Sequence, residues 1–301
     1  MANETTTANV SSGNPTLKSS VLIQEIRERA IMLPFIDIVD LTGQPGLVYD
    51  FQDLTVTPSA SAITSGANEA DAITNTQLTT SSRSATAASK GVGALISKLQ
   101  MSASAVNWAV EAPAILGRAL ADLMDVDAAA LLAGFSNTVG TSGVDATVDD
   151  FIAALVSLRN TAKGAAEDSV FIVHPQQLGD VVRDMASGSG AGLAAMFSRP
   201  DVATVVTSTP GQGLTATYGG TFLGKPCFTS TNVATANGGA DRAGAIFVVK
   251  QALGGVVKWM PTIAEFDKGV DAQLAMQFLG STCYGFVEKK DGMGVSIITD
   301  A

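Results

Sequence analysis

Apolar residues along this chain recur with helical spacing in some stretches and alternate with polar residues in others. From Val21 to Met32, Leu22, Ile23, Ile26, Ala30 and Ile31 approximate one helical face, with Arg27 and Arg29 pointing elsewhere and Pro34 ending the segment. This is either a short helix on its own core or a contact with a neighbouring subunit. Gly46–Val56 alternates as a strand, with Tyr49 and Phe51 on one face. The pattern then fails. Between Thr55 and Ser89 the only large apolar residues are Val56, Ile63, Ile73 and Leu78, in a tract of Ser, Thr, Ala, Asn and Gly. Such a segment cannot offset its ordering entropy by its own burial, and loops beyond about 15 residues are uncommon in compact domains. It is disordered, or something outside its domain orders it. Thr74, Thr76, Thr79 and Thr80 favour an extended return over Ile73–Ser82, after a turn around Gly66 and Asn68. The result is a long two-stranded arm, and an isolated hairpin needs a surface to lie on.

The main helix is predicted over Ile115–Leu132, with Leu116, Leu120, Leu123, Met124 and Leu131 on one stripe and Gly134 as its stop. Ser102 or Ser104 caps a preceding turn, and Pro113 either kinks the helix or marks its start. A second helix covers Phe151–Leu158, preceded by Asp149 and Asp150. Val170–Val173 reads as a buried strand, followed by a helix over Gln176–Met185 that Pro175 opens. Residues 186–198 read as a surface loop and residues 1–16 as a polar arm. Further strands are expected at 214–218 and 221–223 around a Gly219-Gly220 turn, and at 246–249 and 256–259 joined through Gly254-Gly255. Leu274, Met276 and Phe278 alternate on one face of another. Cys283–Val287 and Val295–Thr299 finish the sheet. The pattern predicts an α+β fold with one long helix and a late antiparallel sheet.

Composition narrows the function. Of 301 residues, 46% are apolar and only 15% charged, against about 25% charged in ordinary soluble proteins; large subunit contacts explain the shortage. A net charge of −10 repels nucleic acid, which argues against a sequence-reading DNA binder but suits the wall of a container. Cys227 and Cys283 form no CxxC and read as core residues of a reducing compartment. The N-terminus has no signal-peptide pattern, and no run reaches the roughly 18 apolar residues of a membrane span.

Chemistry-bearing motifs are scarce. His174, the only histidine, lies between a strand and Pro175 and reads as structural. No Walker motif occurs, and Gly188–Gly192 lacks the strand–turn–helix setting of a phosphate loop. Asp145, Asp149 and Asp150 fit helix capping better than a calcium loop. Glu265, Asp267 and Asp271 near Lys268 read as a solvated face. No catalytic, cofactor-binding or metal-ligating residue is assigned, and the chain reads as a structural protein, not an enzyme.

The order of parts resembles the major capsid proteins of tailed bacteriophages, the Hong-Kong-97-type capsid fold. The polar hairpin 47–90, containing GANEADA (66–72), is similar to that family's extended loop, and 96–134 to its spine helix. VFIVHPQQLGDVVRDM (170–185) is similar to the strand–proline–helix of the axial domain, FLGKPCFTST (222–231) to its following strand, and 271–299 to the strands closing the peripheral domain. The resemblance implies an N-terminal arm (1–44), an extended loop (45–92), a peripheral domain (93–134 with 262–301) and an axial domain (135–261). It further implies an icosahedral shell of pentamers and hexamers around phage double-stranded DNA that is contacted non-specifically, assembled in the host cytoplasm. A separate scaffolding protein, a portal and a decoration protein are the expected partners, since the arm is too short to hold a scaffolding region. Intersubunit contacts are expected at Tyr49, Phe51, Ile63, Asn68, Glu69, Ile73, Leu78, Arg83, Arg27 and Arg29. Lys90 lies near the loop base, but no Asn follows Asn237, so the Lys–Asn crosslink of some relatives lacks its partner and stabilisation is expected to be non-covalent. An encapsulin-type nanocompartment shell is the nearest alternative, and a surface-layer or fibre subunit a more distant one.

Overall fold

The computed structural model describes residues 30–54, 80–103, 108–186, 197–198, 218–267 and 275–300. Of the helix expected over Val21–Met32, only Ala30–Met32 are described, and they are not helical. They lead into a 3-10 turn, Leu33–Phe35, where the fixed φ of Pro34 suits the first turn.

β1 (Asp37–Asp40), β2 (Val48–Leu54), β3 (Thr80–Thr86) and β4 (Ala88–Ser97) follow, then α1 (Lys98–Ala103) and α2 (Trp108–Ala129). The long helix α2 begins earlier than expected and contains Pro113, then tightens into a 3-10 turn ending at Gly134. Its buried stripe is Ala112, Leu116, Leu120, Ala121, Met124 and Ala128, while Ile115 and Leu123 are exposed. Leu116, Leu120 and Met124 of the expected stripe face inward beside small residues, whereas Leu123 is turned out. The helix thereby comes close to the sheet beneath it, where Gly280 lies under Leu120.

That sheet has four strands in the order β1-β12-β13-β4, with β12 (Leu253–Asp267) and β13 (Ala275–Glu288) at its centre. β1 runs parallel to β12, and the other pairs are antiparallel. β4 was not anticipated as a strand, yet it pairs with β13 from Ala88↔Tyr284 to Ser97↔Ala275. Its four glycine and alanine positions hide the period-2 signal.

A larger sheet has the order β5-β14-β11-β6-β9-β8-β7, with β10 beside β11. It comprises β5 (Thr138–Val139), β6 (Ser169–Val173), β7 (Phe197–Ser198), β8 (Tyr218–Phe222), β9 (Lys225–Thr229), β10 (Thr235–Ala236), β11 (Asp241–Val248) and β14 (Gly294–Asp300). β6 is buried throughout because both faces are covered. Phe171 and Val173 face α3 (Val148–Ala162) and α4 (Pro175–Ala186). Val170 and Ile172 face Ala128, Leu132 and Phe135 at the end of the long helix. The α+β class, the strand at 170–173 and the helix opened by Pro175 are as the pattern predicted.

Three local expectations are corrected. The hairpin turn is Leu223-Gly224, not Gly219-Gly220, which lies within β8. Leu223 (φ 49°) and Gly224 (φ 77°) supply the left-handed pair that a two-residue hairpin needs. Likewise Gly254-Gly255 sits inside β12, and the chain turns instead at residues 249–252 with Lys250 at φ 59°. This turn carries the chain from one sheet to the other. Finally, Cys283–Val287 and Val295–Thr299 close two different sheets.

Candidate assembly surface

β2 and β3 form a two-stranded ribbon, from Val48↔Thr86 to Leu54↔Thr80. The ribbon is continuous with the four-stranded sheet, because β3 passes into β4 through Ala87, whose N–H donates to Leu47 O at 2.7 Å. Its base is anchored by Phe51, Ala85 and Ala87, which pack with Leu41, Val256 and Cys283. Phe51 lies against Gly254, which has no side chain to displace it. The ring of Tyr49 meets Phe51 edge-on at 5.0 Å, and Lys289 Nζ lies 5.3 Å over the Phe51 ring.

The candidate contact residues therefore separate by role. Phe51 is 5% exposed and packs into its own subunit. Tyr49 and Arg83 are exposed on the ribbon, beside the exposed Leu47 and Val48. Arg27, Arg29, Ile63, Asn68, Glu69, Ile73 and Leu78 lie outside the described residues.

The end of the ribbon at Leu54 and Thr80 borders a cleft of about 480 Å³ that sequence reading did not find. Asp53, Arg83, Lys163, Lys289, Lys290 and Asp291 supply its charge. Lys290 pairs with Asp53 at 2.8 Å and Lys289 with Asp37 at 2.6 Å. Lys163 caps the C-terminus of α3 in a left-handed conformation, where the helix dipole favours a cation. Burial pushes the nearby Glu288 carboxyl up, Asp291 adds to this, and Arg83 opposes it. The Lys289-Lys290 pair is visible in sequence, but its carboxylates lie more than two hundred residues away, so their meeting is not.

A second polar cluster fixes β4 and β13 of the four-stranded sheet to the long helix. Lys90 Nζ is 2.5 Å from Asp127 Oδ2 and 4.8 Å over the ring of Tyr284, whose hydroxyl also donates to Asp127. Burial and the Asp127 carboxylate push the Tyr284 phenol far up. Lys90 is thus engaged within its own chain. Asp125, fully enclosed, accepts from Met32 N–H (2.8 Å), Ser230 Oγ (3.1 Å) and Asn232 Nδ2 (3.0 Å), tying the N-terminal segment and the β9–β10 connection to α2.

Titratable groups elsewhere have structural surroundings. His174 Nδ1 accepts from Gln176 N–H at 3.3 Å, and burial lowers its pKa. Both cysteines are buried, and burial raises the Cys227 thiol to about 12. Asp150 completes a capping box with Thr147, and Asp267 pairs with Lys98 at 2.8 Å. Among the described residues no three His, Cys, Asp or Glu side chains are grouped to hold a metal ion, and no helix is long and apolar enough to cross a membrane.

No protein-family model matches the chain, and no curated protein matches it by sequence. Solved structures do match it. The capsid of the cyanophage P-SCSP1u superimposes with a TM-score of 0.64 at 13% identity, over 91% of this chain and 89% of that one. The fold is that of a phage capsid protein. The head structure of Helicobacter pylori bacteriophage KHP40 agrees, with a TM-score of 0.63 at 10% identity and 91% of each chain covered. The SrpI encapsulin of Synechococcus elongatus PCC 7942 shares the capsid fold, with a TM-score of 0.58 at 12% identity over 89% of this chain and 87% of that one.

Proposed function

We propose that this chain is a major capsid protein, the repeating subunit of an icosahedral bacteriophage head that encloses double-stranded DNA. The observation that carries the reading is a capsid fold spanning about nine-tenths of the chain, joined to a ribbon that opens into the polar segment 55–79. A segment that buries little of itself gains order by lying across a neighbour, so folding and assembly share one free energy. Subunits that repeat this contact around a ring form heterologous interfaces, which close into pentamers and hexamers. The low charge density and net −10 suit a wall that packs edge to edge and holds DNA without gripping it.

In the Hong-Kong-97-type scheme, residues 1–44 are the arm and 45–92 the extended loop. The peripheral domain is then built on α2 and the four-stranded sheet, and the axial domain on the larger sheet with α3 and α4. β4 and β12 run across the boundaries expected near residues 92 and 261, and β14 moves to the axial side. A separate scaffolding protein, a portal and a decoration protein complete the reading, with assembly in the host cytoplasm and no catalytic role.

The test is electron microscopy of the expressed chain, with scaffold supplied where needed. Closed icosahedral shells are expected, and small monodisperse oligomers would sink the reading. Shells isolated from their native source should contain genomic DNA. Protein cargo in its place would transfer the assignment to an encapsulin-type compartment.

A further inference from the structure

Ten asparagines occur in the chain, and only Asn237 is followed by glycine. Asn237 and Gly238 open the 3-10 turn Asn237–Gly239 that joins β10 to β11, and both are exposed. Three successive residues there take left-handed backbone, Asn237 at φ 49°, Gly238 at 73° and Gly239 at 99°. Glycine and asparagine adopt this conformation at the least cost, which is why the dipeptide suits the turn. The same dipeptide is chemically labile. The backbone nitrogen after an asparagine is placed to attack its Cγ, which makes asparagine a thermolabile residue, and glycine leaves that nitrogen without a neighbouring Cβ. A Cβ built on Gly238 would meet nothing within 4 Å, so the surroundings of the attacking nitrogen are open.

The position also matters to the fold. Asn237 Nδ2 donates to Asp241 Oδ2, and Asp241 is buried. Asp241 further accepts from Gly143 N–H at 3.0 Å and from the Ser142 side chain, which ties the turn at 141–144, just before α3, to β11. Asp300 stands directly opposite Asp241 on β14. The Asn237 amide is therefore a neutral donor in a corner that already holds two carboxylates.

We propose that Asn237-Gly238 is a self-modification site, where ageing converts Asn237 to aspartate and isoaspartate and the product unseats Asp241. Gly238 N gives its proton to solvent base and bonds to Asn237 Cγ. The Cγ–Nδ2 bond breaks, and Nδ2 takes a proton from solvent and leaves as ammonia, closing a succinimide. Water then opens the ring, at Cγ to give aspartate or at the main-chain carbonyl carbon to give isoaspartate, and the ring nitrogen regains a proton. Nothing is oxidised or reduced. The hydrogen bond to Asp241 must open before the ring closes, so conversion is slow beside folding. The new carboxylate no longer donates to Asp241 but repels it, as like charges held close together do. The β10–β11 corner and the 141–144 turn then lose their shared anchor. The reaction belongs to the subunit itself and stands apart from the capsid reading.

The experiment ages the full-length folded chain in mildly alkaline buffer and maps its peptides by mass. The Asn237 peptide should gain about one mass unit, as NH2 is exchanged for OH, before any other asparagine peptide does. It should also split into two species of equal mass, one carrying isoaspartate. N237G suits the left-handed φ and has no amide to lose, so it should show no gain there. No gain at Asn237 by the time another asparagine peptide has converted would overturn the proposal. A second arm installs the product directly. The urea midpoint of N237D should fall below that of N237G, which loses the hydrogen bond without adding a charge. The N237D loss should also shrink in a D241N background, because the two groups are coupled. An N237D midpoint no lower than that of N237G, or a loss unchanged by D241N, would overturn the unseating of Asp241. Where N237D fails to fold, the aged wild-type chain, separated from the fresh one by charge, supplies the same comparison.

Discussion

At the scale of single residues, the ribbon depends on one close approach. Where β3 passes into β4, the backbone crosses β13 at Gly285, and a Cβ added there would meet Thr86 O at 2.0 Å. Backbone cannot swing aside as a flexible side chain can. Gly285→Ala should therefore cost more than about 3 kcal/mol, beyond ordinary overpacking, read as a lower urea midpoint of the unassembled subunit. A milder and pH-dependent effect is expected at Asp241. Its carboxylate accepts from the Ser142 and Asn237 side chains and from Gly143 N–H at 3.0 Å, which holds its pKa below the ordinary 3.8. A carboxyl with a depressed native value stabilises the fold above its unfolded value, and that contribution disappears as pH falls through the native one. Asp241→Asn should thus be less stable than wild type at pH 7, and the two urea midpoints should converge as pH is lowered from about 5 towards 3.

At the scale of elements, α3 shows what sequence makes readable. Thr147 accepts from Asp150 N–H while the Asp150 carboxylate reaches back to Thr147 N–H, a reciprocal cap closed within four residues. Thr147→Ala should lower stability by about 1 kcal/mol in chemical denaturation. Local signals of this range, including Pro175 before α4 and the apolar run of β6, are legible because their causes are neighbours in the chain. Glycines misled where their cause was distant. Gly254 lies inside a strand because the Phe51 ring occupies the space above it, and nothing near residue 254 announces this. β4 is hidden similarly, since Gly91 and Gly93 weaken the alternation while its pairing partner lies in β13. The charged cleft was beyond reach for the same reason: Asp37 meets Lys289 only once the four-stranded sheet forms, and Asp53 meets Lys290 only once the ribbon is in place.

At the scale of the whole molecule, the buried clusters of the described residues lie on the two sheets, and residues 55–79 join the ribbon between Leu54 and Thr80. The ribbon is anchored at its base by Phe51, Ala85 and Ala87, and the strand that follows it is held to the long helix by Lys90 through Asp127. On the proposed capsid reading, the body of the subunit folds on its own and the segment 55–79 gains its order on assembly. Deletion of residues 60–72 removes Ile63, Asn68, Glu69 and Asp71 but leaves every described strand pair intact. A segment proposed to pack on a neighbour contributes little to its own subunit, so the urea midpoint of the unassembled subunit should hardly move. Shells are a different matter, because each copy loses the segment proposed to cross to its neighbour and the loss recurs at every position of the lattice. They should fail to form, or dissociate at lower temperature and lower denaturant than wild type. Equal loss in subunit and shell would place the segment in the subunit's own core, and no loss in either would leave the segment without a role in assembly. Only a loss confined to the shell fits the proposed crossing of this segment to a neighbour.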